Sequence, residues 1–411
     1  MVAWEPSLRH LRAFEATASL ASVSRAAEKL HLSQSAISQS IANLETSLGA
    51  TLFQRGPSGS FLTREGETFL LRVSRALTRM ETALAAAVDT GRIARGRIGE
   101  PMPGNVTSAQ ISALIAIDDH DSYSAAARAL GVTQPSLNRH ARDIETILRR
   151  SLFRRTSKGK TTTRHGRDLA RQLRLAMNEV RAGQEELASM SGDSHGTIVI
   201  GILPLGASLL VSQALGLLSK AYPRLKAQIV ESPFEALLSW LQSGRVDVII
   251  GTLRSSPFSD EFSQEPLFPD PYCLVVRKGH PLCAVDTIAE VDLRHYEWIL
   301  PRDGTPRRTA VEALFRSFDQ RPHTIVETSS MGLTRDLLLN GDRVTLLSRD
   351  QIIFEDRLGL LSTLDFALPR STRVIGSIAR SDWLPTELQK RFLATLAELS
   401  QQHSPQGQGA A

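Results

Sequence analysis

Four polar side chains, Gln34, Ser35, Ser38 and Gln39, share one face of a helical stretch opened by Ser33, while Ile37, Ile41, Leu44 and Leu48 recur behind them at core spacing. A glutamine can bond an adenine edge in two places and a serine hydroxyl can donate or accept, so this face suits the readout of bases. The plain alternative is an ordinary solvated helix face. A similar set stands downstream at Thr133, Gln134, Pro135, Ser136, Asn138 and Arg139.

Presenting such a face requires other helices behind it. Leu8, Leu11 and Phe14 recur at helical spacing and begin a first helix. Ser22 or Ser24 can cap a second, in which Ala26, Ala27 and Leu30 face inward and small side chains permit close approach. His31 and Leu32 make a short turn, and Ser33 caps a third helix from Gln34 to about Leu48. A short turn leading into a polar helix is the helix-turn-helix pattern, whose second helix enters the major groove. Gly49 stops that helix, and two short extended segments flank the turn GPSG to form a wing. Arg55 and Arg64 on the wing would contact phosphates and set register.

SRAAEKLHLSQSAISQSIANLE, Ser24 to Glu45, returns as SAAARALGVTQPSLNRHARDIE, Ser124 to Glu145, at an offset of 100 residues. The offset holds without a gap through Leu30 and Leu130, Gln34 and Gln134, Phe53 and Phe153, and Gly66 and Gly166. In the second copy Ile111, Leu114 and Ile117 mark the first helix, Ser122 or Ser124 caps the next, and Thr133 caps a third that opens with Pro135. Its wing carries Arg154, Arg155, Lys158, Lys160 and Arg164, a footprint of phosphate binding with counterion release. Residues 107–166 hold ten Lys or Arg against five Asp or Glu, a net +5, whereas residues 7–66 hold six against four, a net +2. Gly49 becomes Arg149, Ile41 becomes Ala141 and Leu62 becomes Thr162, departures that predict a weaker second core.

A stripe of Leu70, Val73, Leu77, Met80, Leu84 and Val88 follows the first copy, and one of Leu169, Leu173, Met177, Val180 and Leu187 follows the second. Each predicts a helix buried along one side, on a partner helix or on its own domain. GRIARGRIGEPMPGN between them reads as a flexible connector.

Residues 7–66 resemble the N-terminal domain of the LysR-type transcriptional regulators, carried by SRAAEKLHLSQSAISQSIANLETSLGATLFQR and LTREG, and TQPSLNRHARDIE resembles it again. The resemblance implies a winged helix-turn-helix, a dimerising linker helix and a C-terminal effector domain. The duplicated block is not part of the family's usual plan.

After SGDSHG, apolar strands alternate with helices, from TIVIGILP to LPTELQKRFLATLAEL. Repeated βαβ units predict a parallel sheet with right-handed crossovers. LLSWLQSGRVDVIIG, VVRKGHPL and RVTLLSR also resemble the LysR-type effector domain. That implies the two-lobed fold of periplasmic binding proteins, with crossings near Pro266 to Pro271 and Leu364 to Arg373 and a small ligand in the cleft. Candidates for its lining are Pro204, Leu205, Gly206, Thr252, Thr305, Thr328, Ser329 and Ser330, whose hydroxyls and helix-terminal amides suit a carboxylate or a sugar hydroxyl. Turns use the same residues. Leu203 and Leu205 stand where members commonly have Ser or Thr, so that side should be more apolar, which argues against a simple carboxylate.

At 411 residues with 42% hydrophobic and 22% charged residues, the chain has the composition of a soluble protein of about three domains. No apolar run approaches the roughly 18 residues of a spanning helix, and MVAWEPSLRHLRAF lacks a signal pattern, so a cytoplasmic location is expected. Cys273 and Cys283 cannot build a disulfide framework; a redox switch between them is disfavoured because Cys273 lies in the strand-like YCLVV. Phosphate-binding, nucleophile-elbow and metal-binding motifs are missing, and His280 belongs to a GHPL turn, so no enzyme, cofactor or metal is expected. A transport-type binding protein would share the C-terminal fold without the N-terminal modules.

The expected fold class is multidomain: two all-α winged helix-turn-helix domains with linker helices, then an α/β two-lobed periplasmic-binding-protein-like effector domain. The expected divisions are winged helix-turn-helix domains at 7–66 and 107–166, linker helices at 67–90 and 167–191, a connector at 91–106, an effector-binding domain at 195–400 and a disordered tail at 401–411. The expected function is a sequence-specific transcription regulator modulated by a small-molecule effector, acting on double-stranded DNA as a homodimer or homotetramer, with RNA polymerase a further candidate partner and no membrane. The alternative is an architectural DNA-bridging protein without effector control. The first copy is expected to specify sequence, and the second to anchor or to replace a neighbouring subunit's domain.

Overall fold

Side-chain caps and one half-buried glutamate in each block shape the N-terminal part of the chain in the computed structural model, which describes residues 6–56, 59–88, 105–120, 122–156, 159–192, 195–203, 207–254, 260–368 and 372–402. Most of the expected connector and the last residues of the tail lie outside the described residues. The chain divides into two units, Met1–His195 and Gly196–Ala411.

In the first block, α1 (Leu8–Leu20), α2 (Val23–Lys29) and α3 (Gln34–Leu48) form the helical triad. The Ser22 and Ser33 hydroxyls accept the amides of Arg25 and Ala36 at 3.3 and 3.2 Å, satisfying donors that a helix start leaves open. β1 (Phe53–Gly56) pairs antiparallel with β2 (Gly59–Leu62), and Thr63 caps the long helix α4 (Arg64–Ala87). Glu45 Oε1 accepts the amides of Leu52 and Phe53 at 2.7 and 3.1 Å, so the end of α3 fixes the start of the wing. Gly66 is required there: a Cβ would lie 2.1 Å from the Leu52 carbonyl oxygen.

The second block repeats the order as α5 (Ser108–Asp119), α6 (Tyr123–Leu130), α7 (Gln134–Leu148), β3 (Phe153–Thr156), β4 (Gly159–Thr162) and α8 (Arg164–Met190). Glu145 Oε1 takes the Leu152 and Phe153 amides at the same 2.7 and 3.1 Å, and a Cβ at Gly166 would lie 2.2 Å from the Leu152 oxygen. The expectation of a weaker second core is corrected at two of the three departures, Ala141 and Thr162, which their neighbours compensate. Arg149 adopts the left-handed cap, φ 52°, that Gly49 adopts at φ 65°. Ala141 is smaller than Ile41, but Tyr123 replaces Val23 in the same cluster and meets Phe153 edge-on with ring centroids 6.3 Å apart. Thr162 donates to Asp118 Oδ1 at 3.0 Å, and Arg174 holds Asp118 and Asp119 at 3.3 and 2.7 Å. The first block has Ala18, Ser19 and Ser74 at the corresponding positions.

Helices α4 and α8 run antiparallel against each other. Phe69, Val73, Leu77, Met80 and Leu84 share one buried cluster with Leu169, Leu173, Ala176, Val180 and Leu187, so each apolar stripe is covered by the other helix. Gly183 permits the approach, since a Cβ there would lie 2.9 Å from the Phe69 ring. Arg72, 1% exposed, reaches Glu179 at 2.9 Å and Glu186 at 3.1 Å through Nε. Burial opposes its charge, but Glu186 and Glu179 outweigh it and hold the guanidinium above its ordinary pKa. At the mirrored position Arg79 donates to Gln172 Oε1 at 3.2 Å. Subtracting the repeat offset turns the Arg72 to Glu179 contact into the Arg79 to Gln172 contact, the pattern of an interface with a local two-fold axis. Leu8 and Ser108, also one offset apart, touch at 3.3 Å through the Leu8 amide, as residues beside such an axis do.

The C-terminal unit is built on a nine-stranded sheet. Its elements are β5 (His195–Ile202), α9 (Ser208–Ala221), β6 (Arg224–Glu231), α10 (Phe234–Gln242), β7 (Val248–Thr252), β8 (Phe262–Arg277), α11 (Glu290–Leu293), β9 (Glu297–Leu300), α12 (Pro306–Phe315), β10 (Thr324–Glu327), α13 (Met331–Leu339), β11 (Arg343–Ser348), α14 (Ile353–Arg357), β12 (Leu361–Leu364), β13 (Thr372–Arg380) and α15 (Glu387–Gln402). The order is β10-β9-β11-β8-β13-β7-β5-β6, with β12 also beside β8. The wholly parallel sheet expected from βαβ repetition is corrected to a mixed one. β5 and β7, β9 and β10, and β9 and β11 are parallel, but β13 runs against β7 and β8, and β11 and β12 run against β8. The reason is that β8 and β13 carry the chain between the halves. β8 pairs with β13 over Phe262 to Pro271, then with β11 and β12 from Tyr272 onward. Both faces of each half carry an apolar cluster, so the sheet is buried on both sides.

Candidate nucleic-acid interface and ligand cleft

On α3, Gln34, Ser35 and Gln39 are exposed and Ser38 is half-buried, so the polar face points away from the Ile37, Ile41 and Leu44 side. The Ser33 hydroxyl is taken by the cap, which makes Ser33 a positioning residue. Gln39 Nε2 donates to Asn43 Oδ1 at 2.8 Å and is steadied along the helix. On α7, Gln134, Pro135 and Arg139 are exposed, and Ser136 and Asn138 are half-buried. Thr133 caps the helix, Asn138 Nδ2 donates to the Gln134 carbonyl at 3.1 Å, and Ser124 Oγ bonds the Gln134 side chain at 3.3 Å. The second face is therefore more bound to itself, with Arg139 its exposed cation.

Arg64, Arg154, Arg155 and Arg164 are exposed around the wings. Arg55 and Lys160 belong to β1 and β4, and their side chains, like Lys158 as a whole, lie outside the described residues. Phe61, 44% exposed on β2, went unnoticed in the sequence because alternation places only every second strand residue outward and the wing is too short to show it.

In the C-terminal unit a cleft of about 350 Å³ opens between the halves of the sheet. Thr252, Thr305 and Ser329 line it, and Leu203 supplies an apolar wall. Thr305 spends its hydroxyl locally, accepting the Arg308 amide at 3.2 Å and donating to the Arg302 carbonyl at 2.9 Å. Thr328 and Ser330 shape the entry to α13, where Thr328 Oγ1 accepts the Ser330 amide and Ser330 Oγ accepts the Leu333 amide. Pro204, Leu205 and Gly206 lie outside the described residues.

Among the lining residues that were not anticipated are Tyr272, Arg307 and Arg373. Arg373 donates from Nε to Asp270 Oδ2 at 2.8 Å and from Nη2 to Ser348 Oγ at 3.2 Å, with its guanidinium 5.0 Å from the Tyr272 ring centre. Burial pushes the Tyr272 phenol up against the opposing pull of Arg373 and Arg307. Arg307 sits in the first turn of α12, 8% exposed, and burial lowers its pKa to about 10, with Tyr272 opposing and Arg373 adding to the shift. The signal for it was the run RDGTPRRTA, where arginine falls in the first turn after the cap Thr305 and Pro306.

Cys273 donates to the Leu347 carbonyl at 3.3 Å, and burial pushes its thiol up to about 12, so it holds little thiolate near neutrality. Among the described residues no cluster suits a metal ion, and no helix is long and apolar enough to cross a membrane.

Residues 8–67 and again 108–167 match the bacterial regulatory helix-turn-helix protein, lysR family, and residues 191–401 match the LysR substrate binding domain. The HTH-type transcriptional regulator GalR of Pseudomonas putida is 30% identical over 96% of this chain and 97% of its own length. The HTH-type transcriptional regulator GbpR of Rhizobium radiobacter is 30% identical over 59% of this chain and 81% of its own length, so GbpR is the shorter protein. Among solved structures, a full-length OxyR variant from Pseudomonas aeruginosa matches with a TM-score of 0.55 at 19% identity, covering 71% of this chain and 94% of that one. CbnR, a LysR family transcriptional regulator, matches with a TM-score of 0.50 at 20% identity, covering 71% and 98%. At such identities the structural likeness establishes the fold alone. With a helical helix-turn-helix part, an α/β effector-binding part and relatives that are transcriptional regulators, the chain belongs to the LysR family of transcriptional regulators.

Proposed function

We propose that one chain carries a complete pair of DNA readers, two winged helix-turn-helix domains joined through their linker helices, and that a small effector in the C-terminal cleft controls how they engage a promoter. The observation that carries this reading is the two-fold joint in cis, in which Arg72 meets Glu179 and Arg79 meets Gln172. In a helix-turn-helix dimer, two recognition helices related by a two-fold axis read two half-sites. Here α3 and α7 would take those roles within one polypeptide, the second domain standing in for a neighbouring subunit's.

Gln34, Ser35, Ser38 and Gln39 would contact bases in one half-site; Gln134, Pro135, Ser136, Asn138 and Arg139 would do so in the other. Ser33 and Thr133 position them, and Arg55, Arg64, Arg154, Arg155, Lys158, Lys160 and Arg164 would contact phosphates. The two faces differ, so the two half-sites should differ in sequence. Any homodimer or homotetramer would form through surfaces other than the paired α4 and α8 stripes. Thr252, Thr305 and Ser329 are the sequence-derived candidates for effector contact, and the effector acts through its differential affinity for two arrangements. Action in the cytoplasm, with RNA polymerase met at the bound promoter, completes the proposal.

Replacing Arg154, Arg155, Lys158 and Lys160 together by alanine should flatten the dependence of log affinity on log salt by about 3 to 4 units and shorten the footprint to one half-site. An unchanged slope and footprint would remove the second domain from the DNA.

A further inference from the structure

We propose that the cleft of the C-terminal unit takes an effector that joins a carboxylate to an apolar body, the carboxylate meeting Arg307 and the body lying against Leu203, Pro233 and Phe234. This deepens the reading of an effector-controlled regulator and rests on it.

Arg307 is anomalous among the buried arginines. Arg72 faces Glu179 and Glu186, Arg174 faces Asp118 and Asp119, and Arg373 faces Asp270. Arg307 lines the cleft and has no hydrogen-bond or ion-pair partner among the described residues, and its Nη1 is shut off from solvent. Nor can the remaining residues of this unit supply a side-chain carboxylate, because 204–206, 255–259, 369–371 and 403–411 contain no Asp or Glu. A buried guanidinium left unpaired is costly, and a rigid fork of donors matches a carboxylate in two places.

The cation persists in the free protein, since burial lowers its pKa only to about 10. Arg373 is a different case, because Asp270 already neutralises it; of the other lining arginines, Arg302 is exposed and Arg254 is half-buried against the Phe234 ring, so the depth of the cleft is positive and Arg307 is its fully buried cation. The lining acids Glu235 and Asp303 are exposed, so the negative charge of the site lies toward solvent. A volume of about 350 Å³ suits a small organic molecule. The apolar wall at Leu203 therefore does not argue against a carboxylate. It selects an acid with an apolar body, the cation holding one end and the wall the other.

The test is calorimetry and thermal shift on the full-length chain with benzoate, 4-hydroxybenzoate and hexanoate, each beside its primary amide, and with inorganic phosphate as a bare oxyanion. At least one acid should bind, and its amide should bind roughly 30-fold or more weakly, as should that acid to Arg307→Met. Ligand-free Arg307→Met should melt no lower than the parent, because it removes an unpaired buried charge, and Arg307→Lys should recover part of the binding. Equal binding of acid and amide, or undiminished binding by Arg307→Met, would overturn the proposal while leaving an effector cleft in place. It would also be overturned by no acid binding up to about 10 mM, a range that spans weak ligands, by phosphate matching the best acid, or by a lower ligand-free melting point in Arg307→Met. DNA affinity of ligand-free Arg307→Met, expected to be unchanged, separates these outcomes from a failure of the DNA-reading proposal.

Discussion

Between α2, α3 and the wing, the first block packs Val23, Ile41 and Phe53, whereas the second packs Tyr123, Ala141 and Phe153. On the neighbouring side, Ala18, Leu62 and Ser74 give way to Asp118, Thr162 and Arg174, which bond to one another. Two features do not change: the glutamate that takes two wing amides, and the glycine pressed against a carbonyl at the start of the long helix. Contacts to the backbone leave no alternative partner, while side-chain volume and polarity can be exchanged if they are exchanged in sets. The comparison teaches that departures from a pattern must be judged together with their neighbours, and that Ala141 and Thr162 misled when taken singly.

The largest effect is expected at the joint between the blocks. Arg72→Met would leave Glu179 and Glu186 without their buried cation, costing about 3–5 kcal/mol in the urea-unfolding transition of the N-terminal unit within the full chain. Its mirror, Arg79→Met, gives up a bond to the neutral Gln172 and should cost about 1 kcal/mol. Equal losses at the two would mean that the joint is symmetric in energy as well as in geometry.

Next comes the polar set of the second block. Asp118→Ala strands Thr162 and weakens the hold on Arg174, and should cost about 2–3 kcal/mol. Installing the whole first-block set, Asp118→Ala with Asp119→Ser, Thr162→Leu and Arg174→Ser, should return stability to within about 1 kcal/mol of the parent. If the fourfold change is as damaging as the single one, the two interiors are not interchangeable solutions.

The volume exchange gives a smaller effect. Ala141→Ile beside Tyr123 overfills the cluster and should cost about 1–3 kcal/mol. Adding Tyr123→Val should recover about 1 kcal/mol or more of that loss, read as non-additivity in a double-mutant cycle. Additive changes would mean that Tyr123 does not occupy the space Ile41 fills in the first block.

What could be read in advance was local. Ser22, Ser33 and Thr133 precede helices and cap them because a hydroxyl beside open amides has one obvious use. The apolar stripes of α4 and α8 said that each helix was covered, not by what. Arg72 finds its partner in Glu179, 107 positions away, a pairing that no local pattern announces. In the cleft, hydroxyls at strand ends led to Thr252, Thr305 and Ser329. They also led to Thr328 and Ser330, whose hydroxyls hold the entry to α13, because turns and ligand sites favour the same side chains. Arg307 stayed hidden, because the groups around it, Tyr272 and Arg373, lie 35 and 66 positions away in the sequence.

The smallest effect isolates the backbone. Gly49 and Arg149 end equivalent helices at φ 65° and 52°, where a side chain costs roughly 1–2 kcal/mol and glycine costs nothing. Glycine gives back about 0.5–1 kcal/mol through the freedom it has when unfolded. Arg149→Gly should therefore stabilise the second block by about 0.5–1 kcal/mol. Gly49→Ala should destabilise the first by a similar amount, with no steric term, since a Cβ there meets nothing within 4 Å. The two shifts should be opposite in sign and close in size when followed by thermal unfolding. A loss of stability in Arg149→Gly would show instead that the arginine side chain itself holds the second block together, and that this departure too was compensated.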